Sequence, residues 1–428
     1  MNSQDAVEYI IETLKKRGAE KVQCSVMDSE KKELNIDAGE MSLFRTTFNS
    51  GVGFSIYKDN CKGSTSINKL DKDSIDGAIE DVIELADSSE PDEAYDIADY
   101  QAPKSFSTGN SVANMDSMYD RLSEFSDHTK STYPKVILEQ AIIDFTYRKG
   151  IFANSNGVQF GLEKGMYNFS PMFTSKDGVN TSSFNYTGFS AKDLHKPLKD
   201  YGSIDRLLKE SEEQVVSHQV PGKFNGQIIV TPDCLDDFVS TVMDFVTDIP
   251  LISGRSVYKD KLNESIADSR FTMHSKPRSD ELQSNYFITG DGYESQDCTL
   301  IENGILKTFL LGIYGANKTG LSRSVNDGGA HIVDSGNVAF NDLVKSMKKG
   351  VILSRFSGGN PSDNGDFSGV AKNSYYVENG EVKFPISETM ISGNICSMMN
   401  NIVDISKERI NFGDCIYPWI QFDGLTIS

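Results

Sequence analysis

The stretch that decides the fold runs from Gly358-Gly-Asn-Pro-Ser-Asp-Asn-Gly-Asp-Phe-Ser-Gly-Val-Ala371 into Ser374-Tyr-Tyr-Val-Glu-Asn-Gly-Glu-Val-Lys-Phe-Pro-Ile-Ser-Glu-Thr-Met-Ile-Ser-Gly-Asn394. Its first half is so rich in Gly, Asn, Asp and Ser that it predicts an ordered loop, not a helix or a strand ladder. Its second half predicts a β-hairpin, because apolar and polar residues alternate around Asn379-Gly380, a dipeptide suited to a type I′ turn. Such a loop on a rigid hairpin can form a binding surface, or it can simply cross one end of a sheet.

Length and charge limit the class of protein. At 428 residues the chain is too long for one ordinary core, so two or three domains are expected. Lys and Arg total 42 against 62 Asp and Glu, and a net charge of −20 repels nucleic acid and acidic membranes. The chain shows no signal-peptide pattern and no apolar run near the roughly 20 residues of a membrane helix, which predicts a cytoplasmic protein. The six cysteines lie far apart, which predicts reduced thiols and neither a disulfide framework nor a cysteine zinc knuckle.

Hydrophobic periodicity divides the chain into three units. Residues 1–100 predict a helix, antiparallel strands and a second helix, and residues 105–220 repeat that order after an acidic, proline-containing connection. Residues 222–428 predict a mostly β domain with few helices. The predicted fold class is therefore α+β, with two N-terminal helix/antiparallel-sheet units followed by a β-rich C-terminal domain.

Several motifs of the C-terminal half resemble the PmbA/TldD family, often named modulators of DNA gyrase, and in particular its PmbA branch, also called TldE. The motifs in order are Ser253-Gly-Arg-Ser-Val-Tyr258, Glu302-Asn-Gly-Ile-Leu-Lys307, Gly328-Gly-Ala-His331, Gly365-Asp-Phe-Ser-Gly-Val-Ala371, Glu378-Asn-Gly-Glu381, Pro385-Ile-Ser-Glu388, Ile391-Ser-Gly-Asn394 and Asp423-Gly-Leu-Thr426. Their order and spacing agree with the family across the C-terminal half. The first half matches in pattern more than in motif.

The resemblance makes the helix predicted from Thr231 to Asp248 the part that decides function. In the catalytic TldD branch the corresponding helix carries a His-Glu-x-x-x-His zinc motif, in which two imidazoles bind the metal and the Glu is the base. Here that helix contains no histidine and no glutamate. Asp244 and Asp248 are four residues apart, but two carboxylates without imidazole predict a solvated helix face. No catalytic, metal or cofactor residue is therefore predicted in this chain.

The resemblance implies the non-catalytic, TldE-like subunit of a two-chain zinc peptidase. Zinc is expected in a TldD-like metallopeptidase partner, and the implied substrates are unfolded or small peptides, whose main chain can pair with cavity-lining strands. A homodimer could form in isolation. The candidate surface for substrate or partner consists of four glycines that allow close backbone approach and three polar residues: Gly358, Gly359, Gly365 and Gly369, with Asp366, Glu388 and Asn394.

Two other functions stay open from the sequence. One is a stand-alone metallopeptidase whose ligands come from distant positions, for example His274, His331 and a carboxylate. The other is a non-enzymatic regulator of a partner such as gyrase, although the acidic charge gives no reason to expect DNA binding. Zinc content separates the first alternative from a metal-free subunit, and a co-purifying TldD-like chain separates the second.

Overall fold

The computed structural model describes residues 1–358 and 361–428. Within them the N-terminal half combines long strands with four α-helices. Its elements are α1 (Ser3–Lys16), β1 (Lys21–Asp37), β2 (Glu40–Lys58), β3 (Cys61–Ile67), α2 (Lys72–Asp87), β4 (Lys104–Thr108), α3 (Met115–Thr132), β5 (Val136–Asn154), β6 (Gln159–Asp177), β7 (Asn180–Thr181), β8 (Asn185–Tyr186), β9 (Phe189–Ala191) and α4 (Ile204–Glu213).

One sheet runs through both N-terminal units, in the order β3-β2-β1-β5-β6-β4. Strands β1 and β5 are antiparallel partners from Gln23 opposite Asn154 to Asp37 opposite Gln140. Each unit nevertheless has its own hydrophobic core: α1 and α2 cover β1 and β2, while α3 and α4 cover β5 and β6. The units thus share a sheet but not a core, and the numerical boundaries at residues 100–105 and 220–222 stay predictions.

The C-terminal half is mostly β. Its elements are β10 (Phe224–Val230), α5 (Pro232–Asp244), α6 (Asp248–Ile252), β11 (Met273–Ser275), β12 (Cys298–Glu302), β13 (Ile305–Leu306), α7 (Ile313–Thr319), β14 (His331–Val333), α8 (Phe340–Ser346), β15 (Lys349–Leu353), β16 (Arg355–Gly358), β17 (Asp366–Lys372), β18 (Ser374–Glu378), β19 (Glu381–Ile386), β20 (Thr389–Asn394), α9 (Ile395–Asn400), β21 (Ile402–Asn411) and β22 (Ile416–Ile427).

The last strand, β22, organises this half. It pairs with β10, β14, β20 and β21, and the described part of the chain contributes 13 strands to the resulting sheet system. Helix α5 buries its apolar stripe in the large core that these strands enclose. The α+β fold predicted from the sequence, with two N-terminal units and a mostly β C-terminal part, is confirmed. No helix within the described residues is long and apolar enough to cross a membrane.

The hairpin prediction is confirmed and the loop prediction is partly wrong. Asn379 and Gly380 have φ of 53° and 77°, and they join β18 to β19 as a type I′ turn requires. Residues 366–372, predicted as loop, instead form β17 between β16 and β20. The missed signal is the alternation of Phe367, Gly369 and Ala371 on one buried face, which outweighs the low strand propensity of the glycines.

Candidate functional site

Helix α5 carries the polar side chains that can be compared with the zinc motif of the TldD branch. Thr231 is its N-cap residue and Pro232 opens its first turn, where a missing N–H costs nothing. The buried stripe consists of Cys234, Leu235, Phe238, Val239, Val242 and Met243. The opposite face therefore presents polar residues, namely Asp236, Asp237, Ser240, Thr241 and Asp244.

That polar face borders a cavity of about 290 Å³, here called the α5 cavity. The lining residues from α5 are Asp236, Asp237, Phe238, Ser240, Thr241 and Asp244, and those from the glycine-rich region and α9 are Phe356, Gly358, Pro361, Phe367 and Ile395. The glycine-rich stretch singled out from the sequence therefore forms one wall of the cavity. The other wall is the helix that the family resemblance identifies as decisive.

Three aromatic rings form the apolar part of this cavity. The centroid distances are 5.4 Å for Phe238–Phe356, 5.5 Å for Phe238–Phe367 and 5.8 Å for Phe356–Phe367, within the range of favourable ring contacts. Gly358 and Gly369 lie opposite each other and leave space for the Phe356 ring. A Cβ on Gly369 would lie 2.4 Å from that ring, and one on Gly358 would lie 2.6 Å from it. The glycines therefore have a packing role.

Two carboxylates of the α5 cavity have pKa values above the usual range of aspartate. Burial, with a smaller contribution from the neighbouring Asp236, raises the pKa of Asp237 to about 6, and Arg355 opposes the shift. Burial also raises the pKa of Asp244. Although these side chains reach solvent, the surrounding protein removes enough water to disfavour their charge. Asp237 therefore binds its proton at a higher pH, near 6, than an ordinary aspartate does.

A chain of buried polar groups leads away from Asp236. The hydroxyl of Tyr417, on β22, donates to Asp236 Oδ1 at 2.7 Å, and His331 Nδ1 lies 3.2 Å from the same hydroxyl oxygen. Because the hydroxyl proton is directed to Asp236, the Tyr417 oxygen accepts from Nδ1–H of His331. Burial lowers the pKa of His331 and raises the pKa of Tyr417, so both side chains are neutral at pH 7.

A second cavity of about 490 Å³ lies on the other side of Asp236. Asp233, Asp236, Asp414, Cys415 and Tyr417 line it from the C-terminal half, and residues of β6, β8 and β9 line it from the N-terminal sheet. Burial raises the pKa of Cys415, so this thiol is protonated and is a poor nucleophile or metal ligand.

The donor set of the α5 cavity does not fit a zinc ion. Zinc sites in proteins combine carboxylates with imidazole or thiolate ligands, whereas the polar face of α5 offers carboxylates and hydroxyls alone. Among the described residues, no group of three His, Cys, Asp or Glu side chains is arranged to hold a metal. His274 and His331 do not converge either, because His274 is opposite Ile332 in the β11–β14 pair and therefore shares its face, not that of His331.

Asp366 and Asn394, two of the residues predicted for the binding surface, are in direct contact. They are opposite each other in the β17–β20 pair, and Asn394 Nδ2 donates to Asp366 Oδ1 at 2.9 Å. Asn364 Nδ2 donates to the other carboxylate oxygen at 2.9 Å. Asn394 is also the N-cap of α9, where its Oδ1 accepts from the backbone N–H of Ser397 at 3.1 Å. These bonds fix the rim of the α5 cavity.

The remaining predicted residues divide into three groups. Gly365 has φ of 87° and lies beside Ile395, and Gly358 lines the cavity. Glu388 is exposed at the opposite end of β20 from Asn394, about 20 Å away at the usual rise of a strand, so the structure does not bring it to this surface. Gly359 lies outside the described residues.

Sequence reasoning missed three side chains on or next to the polar face of α5. Asp237 could have been found from its position on the polar face of an amphipathic helix next to Asp236. Phe356 and Tyr417 gave no local signal. Both are far from α5 along the chain, and only the pairing of their strands brings them next to it.

The family models match two parts of the chain. The "PmbA/TldA metallopeptidase C-terminal domain" matches residues 222–428, and the "PmbA/TldA metallopeptidase domain 1" matches residues 23–86. Together they cover more than half of the chain.

Individual relatives agree with these models. The chain is 24% identical to the metalloprotease PmbA of Escherichia coli O157:H7 over 408 residues, which cover 90% of this chain and 88% of that protein. It is 27% identical to a zinc metalloprotease TldD homolog of Saccharolobus solfataricus over 225 residues, 49% of this chain and 51% of that protein. The crystal structure of TldE from Thermococcus kodakarensis has the same fold, with a TM-score of 0.85, 18% identity and coverage of 99% and 100% of the two chains.

Proposed function

The chain belongs to the PmbA/TldD family of metallopeptidases, and from this membership we propose that it is the zinc-free, TldE-like subunit of a two-chain peptidase. Its partner is a TldD-like metallopeptidase subunit that supplies the zinc and the general base. The substrates are unfolded or small peptides. This chain contributes a wall of the substrate chamber and no catalytic group.

The donor set of α5 is the observation that carries this proposal. The helix has the burial pattern of an intact core helix, so its fold is preserved, yet its polar face carries aspartates and hydroxyls in place of imidazole. Carboxylates without imidazole bind zinc poorly and cannot reproduce a His-Glu-x-x-x-His site. A subunit that has a structural and not a catalytic role in an assembly is expected to keep this helix and to lack the zinc ligands.

The α5 cavity supports a role in holding peptide. Its aromatic floor can cover apolar side chains, and its carboxylates can accept hydrogen bonds from the N–H groups of an extended main chain. Main-chain recognition of this kind gives affinity without demanding a particular sequence, as unfolded substrates require.

The test is reconstitution with the TldD-like chain of the same organism. We expect the two chains to co-purify and to hydrolyse an unstructured peptide only together. Ser240→Trp, which fills the α5 cavity, should lower hydrolysis by the complex about tenfold or more because it blocks a peptide. Ser131→Trp, an exposed helical position on α3, is the matched control and should leave hydrolysis unchanged.

Each alternative function predicts a different outcome. A stand-alone metallopeptidase would hydrolyse peptide without a second chain and lose that activity to a chelator. A regulator of gyrase would change DNA supercoiling by gyrase and bind no TldD-like chain. Full hydrolysis by the Ser240→Trp complex would show that the substrate does not pass through the α5 cavity.

A further inference from the structure

The second cavity lies where the turn between β21 and β22 meets the N-terminal sheet. The backbone N–H of Ser190 donates to the Phe412 carbonyl oxygen at 2.8 Å. Gly413 has φ of 94°, and a Cβ there would lie 1.9 Å from the carbonyl oxygen of Ser190. Only glycine allows the turn to approach the sheet so closely. The next residue, Asp414, is thereby placed in the cavity wall together with Asp236 of α5.

Three carboxylates of the described residues line this cavity, and two of them have no ion-pair partner there. Asp233 is paired with Arg206 and also accepts from Thr187 Oγ1 at 3.1 Å. Asp236 and Asp414 form no ion pair with a Lys, Arg or His side chain in the part of the chain that the structure describes, and both are exposed to solvent. Their negative charge is therefore available to a group from another molecule.

The charges of Asp236 and Asp414 converge on the same part of the cavity. Burial raises the pKa of the Cys415 thiol, and the charges of Asp414 and Asp236 raise it further. Because charge–charge interaction weakens with distance, both carboxylates lie close to this thiol. Two carboxylates near one point suit a cation with several N–H donors, such as a guanidinium or an ammonium group.

Two positive side chains of this region are held by other partners. Lys164, whose charge interacts with that of Asp414, donates from Nζ to the carbonyl oxygen of Asn285 at 2.7 Å. Arg355 donates to a backbone carbonyl at 2.7 Å, and its guanidinium lies 4.7 Å from the ring centroid of Tyr186. These bonds hold both cations where they are, so neither neutralises the carboxylates by direct pairing.

Aromatic rings form much of the remaining wall of the second cavity. These rings are Phe169, Tyr186, Phe189, Phe412 and Tyr417. The face of an aromatic ring attracts positive charge, and its apolar surface covers the methylene stem of a long side chain. Arginine and lysine side chains combine such a stem with a cationic end. The rings and the carboxylates of the cavity therefore favour the same kind of group.

We propose that the second cavity takes an Arg or Lys side chain of the peptide substrate, with Asp236 and Asp414 as the carboxylates that determine this specificity. The inference rests on the proposed peptidase function and names its substrate class. Asp236 lines both the second cavity and the α5 cavity, so a peptide held in the α5 cavity can direct one side chain into the second. The net charge of −20 attracts basic peptides at long range.

The first test measures peptide binding by the purified full-length chain. Two short unstructured peptides, acetylated and amidated at their ends, differ only by Arg or Gln at one central position. We expect the Arg peptide to bind about tenfold or more tightly, and the preference to shrink as salt concentration rises. Asp414→Asn should remove most of the preference, and Asp414→Glu should retain it.

Asp120→Asn is the matched control, because Asp120 is an exposed aspartate on α3 and its replacement changes the net charge by the same amount. This variant should keep the preference for the Arg peptide. Equal affinity of the wild type for the two peptides, binding of neither, or a preference unchanged by Asp414→Asn would overturn the proposal.

Two further measurements identify the cation and separate this inference from the peptidase role. The Gln peptide with a free N-terminal amine should bind no better than its acetylated form, and a gain equal to that from Arg would overturn the assignment to a side chain. In the reconstituted complex, kcat/KM should favour the Arg peptide. Equal hydrolysis of both peptides would overturn this specificity and leave the peptidase role intact. A complex that hydrolyses neither, while the single chain still prefers the Arg peptide, would remove the peptidase role and keep the cation site.

Discussion

Asn394 donates a 2.9 Å hydrogen bond to Asp366 across β17 and β20, and the same asparagine caps α9. The two amide donors, Asn364 and Asn394, lower the pKa of Asp366. The Asp366 carboxylate therefore connects strand β17 to the first turn of α9, which lines the α5 cavity through Ile395.

Asp366→Ala should abolish hydrolysis by the reconstituted complex, because both amide donors lose their acceptor and the cavity rim loosens. The fold should persist, since the carboxylate is exposed and contacts only polar groups. Peptidase assays and melting temperature measure the two effects. Asp363→Ala, in the same loop and also exposed, is the control. Full activity of the Asp366→Ala complex at an unchanged melting temperature would place the substrate site elsewhere on the chain.

Gly365→Leu should also abolish hydrolysis. Gly365 has φ of 87°, and a Cβ there would lie 2.9 Å from Ile395 Cγ2, so the substitution displaces a cavity residue directly. A non-glycine residue in this conformation costs on the order of 1–3 kcal/mol, so some loss of stability accompanies the loss of activity. A complex with normal turnover after this substitution would show that the rim does not position the substrate.

Gly380→Val should destabilise the chain. Positive φ alone costs a β-branched residue on the order of 1–3 kcal/mol, and the loss of stability should be larger than that. Gly380 has φ of 77°, and a Cβ would also lie 2.6 Å from the carbonyl oxygen of Lys345. Gly39→Val is the matched control, because Gly39 has φ of 80° with no atom near the added Cβ. Denaturant unfolding should show the larger loss for Gly380→Val. Equal losses would mean that the Lys345 contact is unimportant.

Asp237→Asn should stabilise the chain at pH 7–8. Folding raises the pKa of Asp237 to about 6, so the folded state binds its proton more tightly than the unfolded state does. Stability of the wild type therefore falls as pH rises from about 4, the unfolded pKa, through 6. The gain should be below about 2 kcal/mol because water reaches the carboxylate, and it should vanish below pH 4.

Urea unfolding at pH 7.5 and at pH 3.5 measures this difference. Asp342→Asn is the control of opposite sign, because Lys345 holds the pKa of Asp342 below its usual value. Removing that charge should not stabilise the chain at neutral pH. An Asp237→Asn variant no more stable than the wild type at pH 7.5 would show that Asp237 is well solvated.

Local chemistry predicted the regular elements well. The Asn379-Gly380 turn follows from the positive φ that both positions need, and α5 follows from the Thr231-Pro232 start and its apolar stripe. These signals are carried by neighbouring residues. The alternation within β17 was also local, but the density of glycine and polar residues concealed it.

The arrangement of the site could not be predicted in the same way. The single sheet across both N-terminal units depends on β1 pairing with β5, whose residues are more than a hundred positions apart. The bond between Tyr417 and Asp236 likewise spans 181 positions. Glu388 looked like a neighbour of Asn394 because the two are close in sequence, yet an extended strand separates their side chains. Only the pairing of distant strands determines such distances.

Metal analysis of the purified single chain, combined with a peptide hydrolysis assay, tests the central claim most directly. If the chain is the zinc-free subunit, the isolated chain should contain far less than one zinc and hydrolyse no peptide. Zinc and peptidase activity should be found only in its complex with a TldD-like chain. One tightly held zinc per isolated chain, lost together with peptidase activity on chelation, would contradict the claim and assign catalysis to this chain itself.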